Sequence, residues 1–156
     1  MTHDDAVKFF AEQQDEWNAH DADALTRRHT PDGTIISPIF RTVQGKNAVL
    51  ESFQSLFSTF PDWQYVGEDV LVDGDDVAQP FVVHATHNRD FMGLAGSGRK
   101  FDIQGVRVMK MRDGRIASER RYYDFTGLLI QLGVLRGKPA RPETGGVPGI
   151  GAPPAK

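Results

Sequence analysis

One carboxylate in the sequence stands where it could act as a general base. Asp124 follows the aromatic pair Tyr122-Tyr123 in ERRYYDFTGLLIQLG, residues 119–133, where a predicted strand runs into an apolar, helix-like segment. A carboxylate kept half-buried by apolar neighbours has a raised pKa, and it can then take a proton from carbon next to a carbonyl group. The alternative is structural, because Asp124 or Thr126 could equally cap the last helix.

Two further side chains could polarise a substrate carbonyl group. Tyr122 shares a strand face with Asp124 and could donate a hydrogen bond to a developing oxyanion, although core packing is its structural alternative. His87 lies at a predicted strand end beside a glycine-rich loop. A neutral imidazole there could donate a hydrogen bond to the same oxyanion, or it could have only a structural role. His84, three residues earlier, points to the opposite face, so the two histidines cannot hold one metal ion. The predicted catalytic residues are therefore Asp124, His87 and Tyr122.

The elements that would position these residues begin with helices and continue with strands. Apolar residues recur at helical spacing over residues 4–20, in DADALTRRHTPDG up to Pro31, and in GKNAVLESFQSLFSTFPD up to Pro61. The later segments WQYVGEDVLV, VAQPFVVHATH, KFDIQGVRVMKM and RIASERRYYDF have the composition of strands, and a short helix is expected over residues 126–132. The predicted fold class is α+β: a conical α+β barrel with three N-terminal helices packed on a curved antiparallel sheet, and a short C-terminal helix.

The last two long strands are expected to form a hairpin around Asp113-Gly114, a two-residue turn signal. An unbroken register then places Arg107 directly opposite Arg120, and like charges in such a pair repel each other. Either a bulge shifts the register, which could also turn Asp124 to the other face, or the arginine pair holds an anion.

The open end of the cone should form an apolar pocket. Six residues are predicted to contact the substrate there, as apolar wall or as polar contacts: Ser37, Trp63, Phe91, Met92, Arg107 and Met109.

Both faces of the predicted hairpin carry apolar residues, whereas a sheet with one wet face alternates more cleanly. We therefore expect a second copy of the chain to cover the outer face, in a homodimer or a higher homo-oligomer.

Composition excludes several other classes of protein. The chain has 156 residues, a net charge of −3 and no cysteine, which indicates one domain without thiolate chemistry. It has neither a basic block for nucleic acid nor an apolar run long enough to cross a membrane, and its first residues lack a signal-peptide core. We expect a cytoplasmic protein with a domain over residues 1–135 and a flexible Pro/Gly-rich tail over residues 136–156.

Two motif-like segments do not predict ligand sites. GLAGSG is followed by a strand where a dinucleotide-binding motif needs a helix, so we interpret it as a mobile lip over the pocket. DGDD lacks the spaced ligands of a calcium loop. We expect neither a cofactor nor a metal ion.

Several segments together resemble the SnoaL-like polyketide cyclase family of the nuclear transport factor two-like superfamily. THNRDFMG at 86–93 and MRDGRIASERRYYDFTGLLIQLGV at 111–134 carry most of the resemblance. WNAHDADAL at 17–25 and FPDW at 60–63 are also typical, and the similarity spans about residues 5–135.

The resemblance implies a conical α+β barrel with a deep apolar pocket, usually in a homodimer. It also implies cofactor-free intramolecular aldol closure, with a late aspartate as base at the position of Asp124 and the family histidine at His87. The chain departs from the family pattern at Ser37 in the early strand, at Arg89-Asp90, and at Arg120-Arg121 before the aspartate.

Three functions follow as hypotheses. The first is a cofactor-independent cyclase, isomerase or lyase that removes a proton next to a carbonyl group of a medium-sized apolar, polyketide-like substrate, with Asp124 as general base. The second is a non-catalytic module for small-ligand binding or dimerisation. The third is epoxide hydrolase-like activation of water, which needs a second acid and an asparagine or tyrosine to hold the water.

Overall fold

The computed structural model describes residues 1–136, so the predicted tail lies outside the described residues except for Arg136. Within this range the chain forms four helices and seven strands. In chain order they are α1 (His3–Asn18), α2 (Ala22–Arg27), β1 (His29–Ser37), β2 (Arg41–Gln44), α3 (Lys46–Thr59), β3 (Gln64–Gly67), β4 (Leu71–Asp73), β5 (Asp76–His87), β6 (Arg99–Arg112), β7 (Arg115–Tyr123) and α4 (Phe125–Gln131).

The two long helices form where apolar side chains recur at helical spacing. The hydroxyl group of Thr2 accepts the backbone N–H of Asp5 and so caps the start of α1. The buried face of α1 includes Phe10 and Trp17, and that of α3 includes Phe53. Both helices press these faces against the concave side of the sheet, as their spacing predicts.

The strands form one curved, unclosed sheet in the order β2-β1-β7-β6-β5-β3, with β4 paired to β5. The predicted α+β fold is confirmed, with two differences in detail. The strand β1 runs parallel to β7, while the other strand pairs are antiparallel. The predicted strand WQYVGEDVLV is divided into β3 and β4.

A β-bulge in the β6–β7 hairpin decides which side chains face inward. Met111 pairs with Ile116 as expected, but Lys110 pairs with Ser118, so Ala117 is an extra residue on β7. From there on every β7 side chain lies on the face opposite to the one expected from an unbroken register. The predicted pairing of Arg107 with Arg120 is therefore wrong, and the bulge alternative is confirmed.

The bulge brings Glu119, Arg121 and Tyr123 onto the concave face and leaves Arg120 and Tyr122 on the convex face. Arg107 lies directly opposite Arg121, so two arginines still face each other, now inside the fold.

The helices cover only the concave face of the sheet. On the convex face, apolar side chains of neighbouring strands remain largely exposed, among them Val66, Val108 and Tyr122. None of the helices in residues 1–136 combines the length and the apolar character that crossing a bilayer requires.

Candidate functional site

A narrow cavity lies between the helices and the concave face of the sheet, and we call it the central cavity. Its volume is about 30 Å³, so it is narrow in this structure. Much of its wall is apolar, and the remaining side chains bring hydroxyl, indole and guanidinium groups. The apolar part includes Leu56, Phe81, Val83 and Ile103. An apolar wall with a few polar groups is typical of small-molecule sites.

Two arginines from opposite positions on β6 and β7 reach the central cavity. Arg107 and Arg121 are cross-strand neighbours, and both line the cavity. The Arg107 side chain is only 1% exposed and the Arg121 side chain 11%. Arg121 also lies over the ring of Trp17, with its guanidinium carbon 5.4 Å from the ring centroid. The cavity therefore combines an apolar wall with desolvated positive charge.

Behind the arginines, the carboxylate of Glu119 is completely buried. The Nε of Arg121 donates to Glu119 Oε1 at 2.6 Å, and Arg107 Nη1 lies 3.7 Å from the same oxygen. His29 Nε2 lies 3.4 Å from Glu119 Oε2. Burial alone would raise the pKa of Glu119, but Arg121, Arg107 and His29 hold it well below its usual range. Glu119 is thus a permanent counterion and a poor base, and it does not line the cavity.

Amide and hydroxyl groups complete the buried network around Arg107. Its Nη2 donates to Gln13 Oε1 at 2.9 Å and to Gln79 Oε1 at 2.5 Å. The hydroxyl group of Tyr65 donates to the same Gln79 oxygen at 3.0 Å. These contacts hold the Nη2 end of the Arg107 guanidinium group.

Several buried N–H groups at the cavity have no hydrogen-bond partner among the described residues. They are Arg107 Nε and Nη1, Arg121 Nη2, and the indole Nε1 atoms of Trp17 and Trp63. Buried donors are almost always satisfied in folded proteins, and leaving one unpaired costs about 1–3 kcal/mol. Because these residues line one cavity, the cavity is suited to an oxygen-bearing ligand that accepts hydrogen bonds.

Tyr123 places a neutral hydroxyl group on the cavity wall. Burial raises the pKa of Tyr123 to about 12, against the opposing effects of Arg121 and of a hydrogen bond with the backbone of Ile39. The residue opposite Tyr123 on β6 is Gly105, where a Cβ atom would come within 2.9 Å of the Phe81 ring. The absence of a side chain at Gly105 therefore gives room for the two aromatic residues of the wall.

Asp124 lies at the surface, and its predicted inward orientation is wrong. Its side chain is exposed and accepts the backbone N–H of Gly127 at 2.8 Å, which makes Asp124 the N-cap of α4. The bulge at Ala117 reverses the strand alternation that predicted an inward carboxylate. A carboxylate exposed to water and bonded to a helix N-terminus lacks the apolar surroundings that a raised pKa requires.

The other two predicted catalytic residues also lie away from the central cavity. Tyr122 is 51% exposed on the convex face, for the same reason as Asp124. His87 is buried, with Nδ1 3.0 Å from Ser97 Oγ, and it does not line the cavity. The expected inward position of Asp124 and Tyr122 is thus wrong, and His87 is placed apart from both.

Three of the six predicted substrate contacts line the central cavity: Ser37, Trp63 and Arg107. Phe91 and Met92 line a neighbouring outer groove, which Ile39 and Phe40 separate from the cavity. Met109 does not line the cavity, because it packs in a second apolar cluster beneath the N-terminal part of α1. Its predicted contact with substrate is therefore wrong for this structure.

Sequence reasoning missed most residues of the site, among them Trp17, Tyr65, Glu119, Arg121 and Tyr123. The repulsive pairing of Arg107 with Arg120 was the available signal. A one-residue bulge that removed it would have turned Glu119, Arg121 and Tyr123 inward together. No group of three or more His, Asp or Glu side chains within residues 1–136 is arranged to hold a metal ion.

Solved structures share this architecture. AclR of Streptomyces galilaeus, a candidate hydroxylase, superposes with a TM-score of 0.77 at 23% identity, over 89% of this chain and 91% of AclR. IdmH of Streptomyces antibioticus, a candidate polyketide cyclase, superposes with a TM-score of 0.69 at 28% identity, over 82% of this chain and 98% of IdmH. A candidate SnoaL-like polyketide cyclase of Jannaschia sp. CCS1 superposes with a TM-score of 0.74 at 25% identity, over 85% of this chain and 94% of the cyclase.

Sequence comparison agrees with these structures. Among curated protein sequences, none matches the chain. The family model described as SnoaL-like polyketide cyclase matches residues 6–132, which include every element from the first turn of α1 to the end of α4. The chain therefore belongs to the SnoaL-like polyketide cyclase family, within the nuclear transport factor two-like fold.

Proposed function

We propose that the protein is a cofactor-independent enzyme of the cyclase or isomerase kind, acting next to a carbonyl group of a medium-sized apolar substrate. The observation that carries the proposal is the pair of desolvated arginines, Arg107 and Arg121, on the wall of an apolar cavity. Membership of the polyketide cyclase family supports the same class of reaction. The aldol closure itself and the identity of the substrate are parts of the proposal.

The first task of the site is to stabilise an enolate. Arg121 Nη2 and Arg107 Nη1 have no hydrogen-bond partner among the described residues, so a substrate oxygen can accept from them without displacing an existing hydrogen bond. Charge-assisted hydrogen bonds of this kind are shorter and stronger than neutral ones. Because the negative charge develops on the enolate oxygen, these contacts become stronger as the substrate ionises, which is the condition for catalysis.

The second task is to protonate the product of ring closure. The enolate carbon attacks a second carbonyl carbon of the same substrate, a carbon–carbon bond forms, and the electron pair of that carbonyl becomes an alkoxide. The hydroxyl group of Tyr123 is protonated at neutral pH, since burial raises its pKa to about 12, and it donates this proton to the alkoxide. Water returns a proton to Tyr123 and accepts the proton lost when the enolate forms, so no cofactor is consumed.

The test uses a linear triketone, in which a 1,3-diketone lies three methylene groups from a methyl ketone, and follows its closure to a six-membered ring by NMR. Tyr123→Phe is expected to lower the enzymatic rate by about 10²-fold, because it removes the proton donor. Tyr122→Phe is the matched control and should match the wild type. Asp124→Asn should also match it, because asparagine caps a helix as well as aspartate does.

Two outcomes contradict this assignment. A Tyr123→Phe variant with the wild-type rate would remove Tyr123 from the reaction. Loss of closure in Asp124→Asn, with the melting temperature unchanged, would restore the aspartate as the base that the sequence predicts.

A second candidate function is a non-catalytic ligand-binding module. The exposed position of Asp124 favours it, together with a cavity wall that carries no carboxylate among the described residues. Binding of the triketone with no closure above the rate in buffer would support this function. Epoxide opening by a carboxylate-activated water has no matching acid on the same wall.

We also propose that the protein forms a homodimer through the convex face of the sheet. Val66 and Val108 are each 42% exposed there, on the strands to either side of β5, and their pairing partners Val82 and Ala78 are half-buried on the same face. A contiguous exposed apolar patch on a sheet is typical of a protein–protein interface. A second copy would bury it and explain why both faces of the hairpin are apolar.

Light scattering during size exclusion should give twice the mass of the chain for the wild type. Val108→Asp should give a monomer, because an aspartate pair would be buried without partners at the interface. Val7→Asp, at an exposed apolar position of α1, is the matched control and should stay dimeric. A monomeric wild type at about micromolar concentration, where specific interfaces hold, would contradict the proposal.

A further inference from the structure

The buried charges around the central cavity do not balance. Arg107 and Arg121 bring two positive charges, whereas Glu119 is the one buried carboxylate within residues 1–136. The two guanidinium groups and the one carboxylate therefore leave one positive charge in excess. An uncompensated buried charge is among the most unfavourable features that a fold can carry.

The surroundings supply dipoles to the excess charge but no second anion. Gln13 and Gln79 offer amide oxygens to Arg107. The ring of Tyr65 lies 5.0 Å from the Arg107 guanidinium carbon. Such contacts weaken the cost of burying a cation and leave its charge in place.

The position of the excess charge is a place that a ligand can reach. Arg107 and Arg121 are direct cross-strand neighbours on one face, where like charges repel each other, and the single carboxylate of Glu119 contacts both of them. Both line the central cavity, and Arg107 Nη1 and Arg121 Nη2 are buried without hydrogen-bond partners among the described residues. An anionic oxygen would satisfy both donors and neutralise the cluster.

We infer that the substrate carries a negative charge when it binds, on the enolate of an acidic 1,3-dicarbonyl group or on a carboxylate, and that Arg107 and Arg121 hold the charged oxygen. This inference rests on the proposed function for its site and gives the chemical class of the substrate. A 1,3-dicarbonyl compound exchanges its acidic proton with water, so a positively charged site can select the enolate without a carboxylate base inside the cavity. The charges of Arg107, Arg121 and Glu119 are then balanced only in the complex.

The test compares binding of charged and neutral probes of nearly equal shape. Dimedone, a cyclic 1,3-diketone ionised at neutral pH, is paired with its neutral monoketone counterpart. Cyclohexanecarboxylate is paired with cyclohexanecarboxamide. Trp17 and Trp63 both line the cavity and are the two tryptophans of the chain, so intrinsic fluorescence reports binding directly.

At least one anion should bind the wild type about tenfold or more tightly than its neutral partner, the advantage of a hydrogen bond to a charged group. Preference in the dimedone pair alone identifies an enolate, and preference in the carboxylate pair alone identifies a carboxylate. For dimedone, the preference should disappear at acid pH, where the probe becomes neutral. This last measurement needs no variant and is independent of any folding defect.

Variants then locate the charge. Arg121→Gln should abolish the preference, whereas Arg121→Lys keeps the charge and should retain it, and so should Arg120→Gln at the exposed neighbouring position. Equal or tighter binding of the neutral probes by the wild type would overturn the inference. So would an anion preference that Arg121→Gln leaves intact in a folded protein.

The outcome is separable from that of the proposed function. A protein that prefers anions but does not close the triketone supports the charge inference and refutes the proposed enzyme. A protein that closes the triketone but binds neutral probes as well as anions supports the proposed enzyme and refutes the charge inference.

Discussion

Arg121→Gln is expected to lower the rate of triketone closure by about 10³-fold, the upper part of the range for loss of one oxyanion donor. The side chain contributes to the reaction in two ways. Its Nη2 is an unpartnered donor at the cavity, and its positive charge, through the bond from Nε to Glu119, belongs to the cluster that attracts the enolate. Glutamine removes the charge and leaves at most a neutral donor, so the enolate and the transition state that forms from it lose more stabilisation than the neutral form of the free substrate does.

The chain offers a matched control one residue away. Arg120→Gln removes the same charge from the convex face, where the side chain is exposed, and should leave the rate unchanged. Arg121→Lys should fall between the wild type and Arg121→Gln, because lysine keeps the charge but loses the fork that bonds Glu119 and the ligand together. Equal rates for the Arg120 and Arg121 variants would show that the effect is long-range, and would refute a direct contact between Arg121 and the substrate.

The fold was predictable because its helices and turns depend on local signals. The apolar spacing of Phe10, Trp17 and Phe53 is repeated on the buried faces of α1 and α3, and Asp113-Gly114 forms the turn of the β6–β7 hairpin. Such patterns need only a helical or a strand period and a few turn residues. The parallel pairing of β1 with β7 has no comparable local signal, since it joins segments about 80 residues apart in the chain.

The candidate site was not predictable to the same degree because it depends on one extra residue. Ala117 separates two pairs of the hairpin, and every side chain after it changes face. The unbroken register and the bulged register both place charged and aromatic residues of β7 inside, so hydrophobic patterning alone does not choose between them. The choice is made by tertiary partners: Glu119 finds Arg107 on β6 and His29 at the start of β1, whereas Asp124 finds only the N-terminus of α4.

Glu119→Gln is expected to lower the free energy of unfolding by about 3–5 kcal/mol, the cost of removing one partner from a buried ion pair. The variant leaves Arg107 and Arg121 buried with no carboxylate, and His29 loses its contact as well. For a chain of this length the loss corresponds to a fall in melting temperature of about 10 °C. Glu51→Gln, at an exposed position of α3, is the control and should change the melting temperature little.

Removing the partner charge together with Glu119 tests whether the loss comes from charge or from shape. The double variant Glu119→Gln/Arg121→Gln carries one buried positive charge, as the wild type does. It should therefore be more stable than the sum of the two single variants predicts, by an interaction free energy of about 1–3 kcal/mol. Strict additivity would mean that the two side chains do not interact energetically, despite the 2.6 Å separation of their atoms.

The pH dependence of the Glu119→Gln effect follows from the direction of the pKa shift. The folded protein holds the pKa of Glu119 below the ordinary glutamate value of 4.5, so the carboxylate stabilises the fold fully above that value. As the pH falls below 4.5, Glu119 of the unfolded chain takes up a proton while the folded carboxylate stays ionised, and the stability advantage of the wild type over Glu119→Gln decreases. Urea unfolding of both proteins across pH 3–7 measures this difference. A difference that stays constant down to about pH 3, well below the ordinary glutamate pKa, would mean that Glu119 is not held ionised by the arginines, and the charge cluster on which the proposed reaction depends would be refuted.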